Sequence, residues 1–587
     1  MSALYRECMR ALLLSLLAAL PLSADTLHLK SGGKVEGKIV GEENGRYKVR
    51  LAKGEILVAK EDVVRIEYGP APVEELEKRS KALDSRDAKA VVELAKWAAS
   101  KGFSDEALAI ARSGGEAPEC RALVLSLIEP EVARRVEEAR KSVRLGLVRR
   151  AKAVVDELAA AYPEARERAA AVIPEEPERR RRYDGFERPD PKLEEAVNAY
   201  FSDGTPLKTD APLPQVLAAI RRGARGGDAP KPGVHKMKTK DGAEYLLRVP
   251  EGCNPEVPMP MLFSMHGSSN TAAAQYYSWA AGLRDDRDFV VVFPEGGLLA
   301  WGNAGACHER IFSIMRDAAA RVTIDPDRIC LDGGSWGGHG AFLLAMTHPG
   351  RWAAIAPRAG TARFANYSIK AGVPDSSAAP PQLANLWNLP VYLVAGAKDD
   401  RTPIEEARAT KRKLESTGAP LVYREYEDGG HEWFPTEDGD VLDFLRHHRR
   451  DPYPKRVKFV TREALFNRCA WIEILSVTRT ERIEIAHLDM RQQPLETRKE
   501  YDRCAEVDAE ADRAKNRITI RTQGVRDLRV WLSDELVDLD KPIELVVNGE
   551  KPATVKAERS LQAALEDCRK RGDRGAPFIA SVKVTVR

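Results

Sequence analysis

Between residues 233 and 452, short runs that are apolar throughout alternate with longer stretches whose apolar residues have helical spacing. The apolar runs are YLLRV, PMLFSMHG, FVVVFP, RICLDGG, WAAIAP, PVYLVAG and LVYREYE. Strands that are apolar at every position are typical of a parallel sheet covered on both faces, whereas a sheet with one wet face alternates apolar and polar residues. The pattern therefore predicts an α/β domain, doubly wound around a mostly parallel sheet.

One of these strands leads into the glycine-rich turn Gly333-Gly-Ser-Trp-Gly337, and a helical stretch follows it. This is the G-x-S-x-G pattern of a nucleophile elbow. Glycines let the strand and the helix approach closely, so that the serine hydroxyl stands above the sheet at the helix N-terminus. The alternative is a strand-to-helix turn in which the serine only caps the helix. The turn predicts Ser335 as a nucleophile if an acid and a base follow it in the chain.

A serine nucleophile needs a base that is held by an acid, and α/β-hydrolases place them in the order Ser, Asp or Glu, His. Asp399 and its neighbour Asp400 lie on the loop after PVYLVAG. Because adjacent side chains point in different directions, only one of them can reach the imidazole, and we favour Asp399. His431 lies on the loop after LVYREYE, between glycines and an acid. His339, on the helix after the elbow, is expected to be packed. The sequence therefore predicts Ser335, Asp399 and His431 as catalytic residues.

Ester cleavage also needs two donors for the oxyanion that forms. The first is expected to be the backbone N–H of Trp336, which follows the nucleophile. The second is expected from the loop after PMLFSM, as the N–H of Ser268, with Gly267 as a near alternative. His266, on the same loop, is expected to be a buried orienting residue rather than a base.

The motifs LFSMHGSSN, VVFPEGGLLAWGNAG, ARVTIDPDRICLDGGSWGGHGAF, VAGAKDDRTP and DGGHEWF resemble those of secreted α/β-hydrolase esterases. The resemblance is to the polyhydroxybutyrate-depolymerase and feruloyl-esterase type, often grouped with prolyl-oligopeptidase-like hydrolases, and it covers residues 233–450. It implies an α/β-hydrolase fold and a substrate pocket lined by Trp301 and Asn303, with no cofactor. The segment CHERIFSIM departs from the family, because paired aspartates are expected there.

The rest of the chain is expected to form additional domains around the catalytic domain at residues 233–452. They are a signal peptide at 1–24, a small β-barrel at 25–70, a helical domain at 71–175, a linker and lead-in at 176–232, and a β-rich, sandwich-like domain at 453–587. The barrel is predicted from strands of alternating apolar residues separated by glycine turns, and the helical domain from apolar residues at helical spacing.

The first residues predict export, because Arg6 and Arg10 precede a short apolar run that ends at the small residues Ser23 and Ala24. The expected location is secreted or periplasmic, with no membrane span after the signal is removed. A formal net charge of only +3 gives no strong positive electrostatic field that would attract nucleic acid, so no nucleic-acid partner is predicted. The eight cysteines are scattered singly, so no zinc site is predicted, and their disulfide pairing stays open.

Three functions are compatible with these features. The first is a serine carboxylesterase that acts on a small or polymeric ester through an acyl-enzyme on Ser335. The second is a serine peptidase of prolyl-oligopeptidase-like type, although no β-propeller is predicted before the hydrolase domain. The third is an adhesion or scaffold protein with an inactive hydrolase domain, which the complete set of Ser, Asp and His disfavours.

Overall fold

The computed structural model describes most of the chain. The described residues are 24–51, 54–69, 72–173, 190–222, 230–254, 257–268, 270–296, 301, 304–362, 366–370, 373–374, 381–461, 466–478, 481–488, 494–502 and 505–586. Almost all of the predicted signal peptide, residues 176–189 and 223–229 of the predicted linker and lead-in, and Asn303 therefore lie outside them. The described residues form two units, one within Met1–Lys141 and Ala151–Ile173, the other within Ser142–Arg150 and Pro174–Arg587.

The first unit begins with an antiparallel sheet of five strands, in the order β4-β3-β2-β1-β5. The strands are β1 (Ala24–Leu29), β2 (Lys34–Glu43), β3 (Arg46–Arg50), β4 (Glu55–Ala59) and β5 (Val63–Gly69). Leu27, Val49 and Val58 form its buried centre. Asn44 and Gly45 both have positive φ in the β2–β3 turn, as a two-residue hairpin requires.

Helices complete the first unit over the region where the sequence predicts a helical domain. They are α1 (Pro72–Ala82), α2 (Ala88–Ser100), α3 (Ser104–Ser113), α4 (Pro118–Arg144), α5 (Val148–Ala161) and α6 (Arg166–Ala170). In α2 the buried residues are Val91, Leu94, Ala95 and Ala98, which is one helix face, and Asp87 caps the helix by accepting from the N–H of Ala90.

The second unit holds an eight-stranded sheet in the order β15-β14-β11-β10-β8-β9-β7-β6. Its strands are β6 (Gly233–Lys238), β7 (Glu244–Val249), β8 (Met259–Met265), β9 (Val290–Pro294), β10 (Ile324–Gly334), β11 (Ile355–Arg358), β14 (Val391–Gly396) and β15 (Leu421–Tyr426). The pairs β6–β7 and β7–β9 are antiparallel, and the other five pairs of neighbouring strands are parallel. The predicted mostly parallel sheet of an α/β-hydrolase fold is confirmed.

Helices cover both faces of this sheet. They are α9 (Ala272–Trp279), α10 (Ala304–Arg321), α11 (Trp336–Thr347), α12 (Ile404–Thr417) and α13 (Asp438–His447), and α7 (Pro191–Ser202) and α8 (Leu213–Arg222) precede the sheet in the chain. The central strands β8 and β9 are buried at every position, and side chains from the two faces enter two separate apolar clusters. This double burial explains why the strands read as continuous apolar runs.

The C-terminal region forms two further sheets, in the orders β16-β21-β22-β24-β25 and β17-β18-β23-β26. Their strands are β16 (Arg456–Thr461), β17 (Arg468–Cys469), β18 (Ile472–Val477), β21 (Ala505–Asp512), β22 (Arg517–Gln523), β23 (Val525–Leu532), β24 (Ile543–Val547), β25 (Ala553–Val555) and β26 (Ala580–Thr585), and one helix, α14 (Leu561–Arg571), lies between β25 and β26 in the chain. Buried residues alternate along β21, and both sheets contribute to one core.

The hydrolase region and the C-terminal region share one compact unit. A fourth sheet joins β13 (Val373–Pro374) and β12 (Asn366–Lys370) of the first to β19 (Glu481–Leu488) and β20 (Pro494–Asp502) of the second, in the order β13-β12-β19-β20. The buried Arg450 also pairs with Asp327 on one side and Asp573 on the other. The sequence predicts two separate domains here because neither contact leaves a local pattern.

Candidate active site

The turn from β10 to α11 raises Ser335 above the carboxyl edge of the sheet. Ser335 has φ 55° and ψ −117°, a strained conformation for a residue with a side chain. A Cβ on Gly333 would lie 2.5 Å from the carbonyl of Gly337, and one on Gly337 would collide with the carbonyl of Met265. The glycines are therefore required by close backbone contacts on both sides of the turn, and the serine carries the strain.

His431 and Asp399 lie in a line with this serine. The Nε2 atom of His431 is 2.8 Å from Ser335 Oγ, and its Nδ1 atom is 2.8 Å and 2.9 Å from the two carboxylate oxygens of Asp399. The imidazole is 13% exposed and the carboxylate 2% exposed, so the chain of hydrogen bonds is mostly shielded from water. The geometry is that of a nucleophile, a base and an orienting acid.

Asp399 is fixed by its own loop. Its Oδ1 atom accepts hydrogen bonds from the backbone N–H groups of Arg401 and Thr402, at 2.9 Å and 2.8 Å. Burial alone would raise the pKa of this carboxyl, but the hydrogen bonds from His431 and from the two backbone groups outweigh it and hold the pKa below its usual range. Asp400 is exposed. The structure thus brings Asp399, and not Asp400, to the imidazole.

The loop after β8 passes beside the nucleophile. A Cβ added to Gly267 would lie 3.5 Å from Ser335 Cβ, and Ser268 follows it in an exposed turn. Trp336 begins α11, where backbone N–H groups have no partner within the helix. The backbone of both segments that are predicted to supply oxyanion donors therefore lies beside the serine.

The side chains of His266 and Trp301 form hydrogen bonds that stabilise the loop after β8. His266 is 1% exposed, its Nε2 accepts from the N–H of Gly296, and its Nδ1 lies 2.7 Å from the carbonyl of Gly267, to which it donates. Trp301, also 1% exposed, donates its indole N–H to the carbonyl of His266. Trp301, which is predicted to line the pocket, is thus buried beside the loop after β8, and Asn303, its predicted partner, lies outside the described residues.

The sequence analysis did not predict Arg358, whose positively charged side chain is buried beneath the site. Arg358, the last residue of β11, is fully buried, and its guanidinium lies between the rings of Trp279 and Trp433. Its signal was a charged residue at the end of an otherwise apolar strand. His339, as expected, is packed, with Nδ1 beside the backbone of Thr361.

Metal centres and membrane spans are absent from the part of the chain that the structure describes. No group of three or more His, Cys, Asp or Glu side chains there is arranged to hold a metal ion. No helix there is both long and apolar enough to cross a bilayer. Five cysteines are free thiols, namely Cys120, Cys253, Cys330, Cys469 and Cys568.

Residues 300–449 match the model of the prolyl oligopeptidase family, and this segment contains Ser335, Asp399 and His431. The chain is 24% identical over 231 residues to dipeptidyl-peptidase 5 of Porphyromonas gingivalis, which covers 33% of the chain and 34% of that protein. It is 27% identical over 135 residues to a probable feruloyl esterase C of Aspergillus flavus, which covers 22% of the chain and 49% of that protein. The chain thus spans between a third and a half of the length of these curated relatives.

Solved structures of esterases are also similar. A thermostable esterase has a TM-score of 0.31 at 22% identity, covering 37% of this chain and 63% of that chain. A ferulic acid esterase has a TM-score of 0.29 at 16% identity, covering 37% and 97%. The resemblance seen in the motifs is confirmed by the family match and the feruloyl esterase relative, and the domain is a serine hydrolase of the esterase or peptidase type.

Proposed function

We propose that this protein is an exported serine carboxylesterase that cleaves its substrate through an acyl-enzyme on Ser335. The observation that carries the proposal is the continuous chain of hydrogen bonds from Asp399 through His431 to Ser335 Oγ. Preference for esters over amides is supported by the five esterase-like motifs and by the similarity to a probable feruloyl esterase. The substrate class is then an acyl ester, either small or attached to a polymer.

In the first half of the reaction, Ser335 Oγ attacks the ester carbonyl while His431 Nε2 takes its proton. Asp399 keeps the Nδ1–H of His431 pointing towards itself, so that Nε2 is free to accept. The N–H groups of Trp336 and of Ser268 or Gly267 donate to the tetrahedral oxyanion. His431 then returns the proton to the departing alcohol, and an acyl-enzyme remains on Ser335.

In the second half, water replaces the alcohol. His431 Nε2 removes a proton from the water, the hydroxide attacks the acyl carbonyl, and the same two N–H donors hold the second oxyanion. The proton on His431 passes to Ser335 Oγ as the carboxylic acid leaves. The enzyme returns to its starting state without any cofactor in these steps.

A serine peptidase is the second candidate, favoured by the prolyl oligopeptidase family match and the dipeptidyl-peptidase relative. An amide can enter the same steps, with His431 protonating the departing amine. The third possibility, an inactive hydrolase domain, is disfavoured because the hydroxyl, imidazole and carboxylate are all within hydrogen-bond distance of their neighbours.

The test compares p-nitrophenyl acetate and methyl ferulate with a panel of peptide p-nitroanilides, and labels the protein with a fluorophosphonate. We expect ester hydrolysis to exceed amide hydrolysis, and we expect Ser335→Ala to abolish labelling and to lower kcat by up to about a million-fold, as in a well-studied serine hydrolase. Ser416→Ala, on the exposed end of α12, is the matched control and should behave as the wild type. Faster amide hydrolysis would establish the peptidase instead, and strong ester hydrolysis by Ser335→Ala would refute nucleophilic catalysis by this residue.

A further inference from the structure

Arg358 contacts both chain segments that carry the reacting side chains. Its carbonyl accepts a 2.8 Å hydrogen bond from the N–H of Ser335. Its guanidinium Nη1 donates to the carbonyls of Trp433 and Phe434, at 3.4 Å and 3.5 Å, just after His431 in the chain. One fully buried residue therefore joins the elbow to the loop of the base.

The guanidinium contacts two aromatic rings and two carboxylates, and its hydrogen bonds are all donated by Nη1. Its central carbon is 4.4 Å from the ring centroid of Trp279 and 4.0 Å from that of Trp433, which is a double cation–π contact. It forms ion pairs with Asp438, at the start of α13, and with Asp332, three residues before the nucleophile. Because Arg358 cannot move without breaking these contacts, the two loops that it joins cannot move independently.

Two carboxylates depend on this one cation. Asp332 also accepts from Ser264 Oγ and from the indole of Trp279, at 3.0 Å and 2.9 Å, and Asp438 accepts from the indole of Trp433. Burial raises the pKa of Asp332 to about 6 even with Arg358 beside it. Loss of the cation would leave two buried carboxylates without their counter-ion, which is strongly unfavourable.

The loop of the base is itself strained at this point. Phe434 has φ 57°, in the left-handed region that a bulky side chain rarely adopts. A strained residue keeps such a conformation only where its surroundings determine it. The carbonyl of this residue is one of the acceptors of Arg358. Trp433 also packs against the elbow, because a Cβ on Gly334 would lie 3.1 Å from its ring.

We propose that Arg358 is a positioning residue, which keeps His431 Nε2 within hydrogen-bond distance of Ser335 Oγ by tying the loop of the base to the elbow. This inference rests on the proposed function, since it concerns the same reaction. The guanidinium of Arg358 lies beneath the site, and its hydrogen bonds and ion pairs go to the neighbouring loop carbonyls and aspartates rather than to the nucleophile hydroxyl or the imidazole. Its loss is therefore expected to affect the chemical step more than substrate binding.

The test is Arg358→Lys, which keeps the charge and loses the planar fork that reaches the loop carbonyls and stacks on both rings. We expect kcat to fall about a hundred-fold, the cost of a displacement of about 1 Å at the reacting atoms, while KM stays near the wild-type value. The rate of fluorophosphonate labelling should fall with kcat. A purely structural role would lower thermal stability and leave kcat of the folded enzyme unchanged.

Arg450→Lys is the matched control. Arg450 is also buried and also lies between two aspartates, Asp327 and Asp573, but its hydrogen bonds join the hydrolase region to the C-terminal region and not to the catalytic loops. The Arg450→Lys variant should be less stable than the wild type and should keep the wild-type kcat. Equal kcat in the two folded variants would overturn the proposal.

A second variant decides the question if Arg358→Lys does not fold. Asp438→Asn keeps the volume at position 438 and removes the charge that Arg358 pairs with. We therefore expect kcat to fall in this variant, as it does in Arg358→Lys. Wild-type kcat in folded Asp438→Asn would then overturn the proposal. Wild-type protein that neither hydrolyses esters or amides nor reacts with the fluorophosphonate would instead contradict the proposed function itself.

Discussion

The substitution Asp399→Asn tests how the orienting acid works, and the structure determines which way the new amide faces. In the wild type, Oδ1 accepts from the N–H groups of Arg401 and Thr402 and lies 2.9 Å from His431 Nδ1, while Oδ2 lies 2.8 Å from the same nitrogen. An asparagine must keep its oxygen towards those two N–H donors, because its NH₂ group cannot accept from them. The NH₂ group therefore takes the place of Oδ2 and donates towards His431.

This reversal moves the proton on the imidazole. The nearer group, 2.8 Å from His431 Nδ1, is then a donor, while the oxygen at 2.9 Å already accepts from two backbone N–H groups. We therefore expect Nδ1 to become an acceptor, so that the neutral ring carries its proton on Nε2 instead. A protonated Nε2 cannot take the proton of Ser335. The same tautomer error costs about ten-thousand-fold in kcat in chymotrypsin-type proteases, which corresponds to about 5 kcal/mol in the activation free energy.

The assay is kcat for p-nitrophenyl acetate, measured for Asp399→Asn and Asp400→Asn side by side. Asp400 is exposed and adjacent in sequence, so its variant controls for a change of charge near the site. We expect the Asp399 variant alone to lose activity, with little change in thermal stability because the backbone hydrogen bonds survive. Equal activities in the two variants would show that the carboxylate does not set the tautomer of His431.

Two further predictions concern export and acid stability. Protein recovered outside the cytoplasm should begin near Asp25, one residue after the start of β1, and N-terminal sequencing that finds Met1 there would refute cleavage. Burial lowers the pKa of His308 to about 4, so this residue stays neutral in the fold, and the unfolded chain takes up the extra proton as the pH falls below about 6.5. Stability is therefore lost on acidification, by about 2–3 kcal/mol from this residue between pH 7 and pH 4.5. Urea titrations at pH 7 and pH 4.5 should show a smaller loss of unfolding free energy in His308→Gln than in the wild type. Equal losses would contradict the conclusion that His308 causes part of the acid sensitivity.

The placement of the candidate catalytic residues could be predicted because each carries a local signal. Ser335 lies in a pattern of glycines that strand-to-helix geometry demands, and Asp399 and His431 each follow an apolar strand. Since parallel strands end at one edge of the sheet, their following loops meet there without any further information. Because neighbouring side chains point in different directions, the sequence indicated that only one of Asp399 and Asp400 could reach the imidazole, and in the structure it is Asp399.

The surroundings of the site could not be predicted in the same way. Arg358 depends on contacts from β10, α9, the His431 loop and α13, whose order in space no short pattern records. Trp301 belongs to a motif that suggested a pocket wall, yet a tryptophan beside a glycine-rich helix can also fill the space beneath it, as its contact with Gly340 shows. The positions of Arg358 and Trp301 therefore depend on contacts between residues that are distant in sequence, which local sequence patterns do not record.

The sheet that β12 and β13 form with β19 and β20 limits how this enzyme can be engineered. A shortened chain that ends at residue 452, where the sequence predicts the end of the catalytic domain, would leave the edge of β12 unpaired and open to association with other chains. It would also remove Asp573 from Arg450 and Val460 from Asn385, two buried polar contacts whose partners would stay behind. The smallest transplantable catalyst is therefore not the segment that matches the known family, but one that carries the C-terminal strands with it.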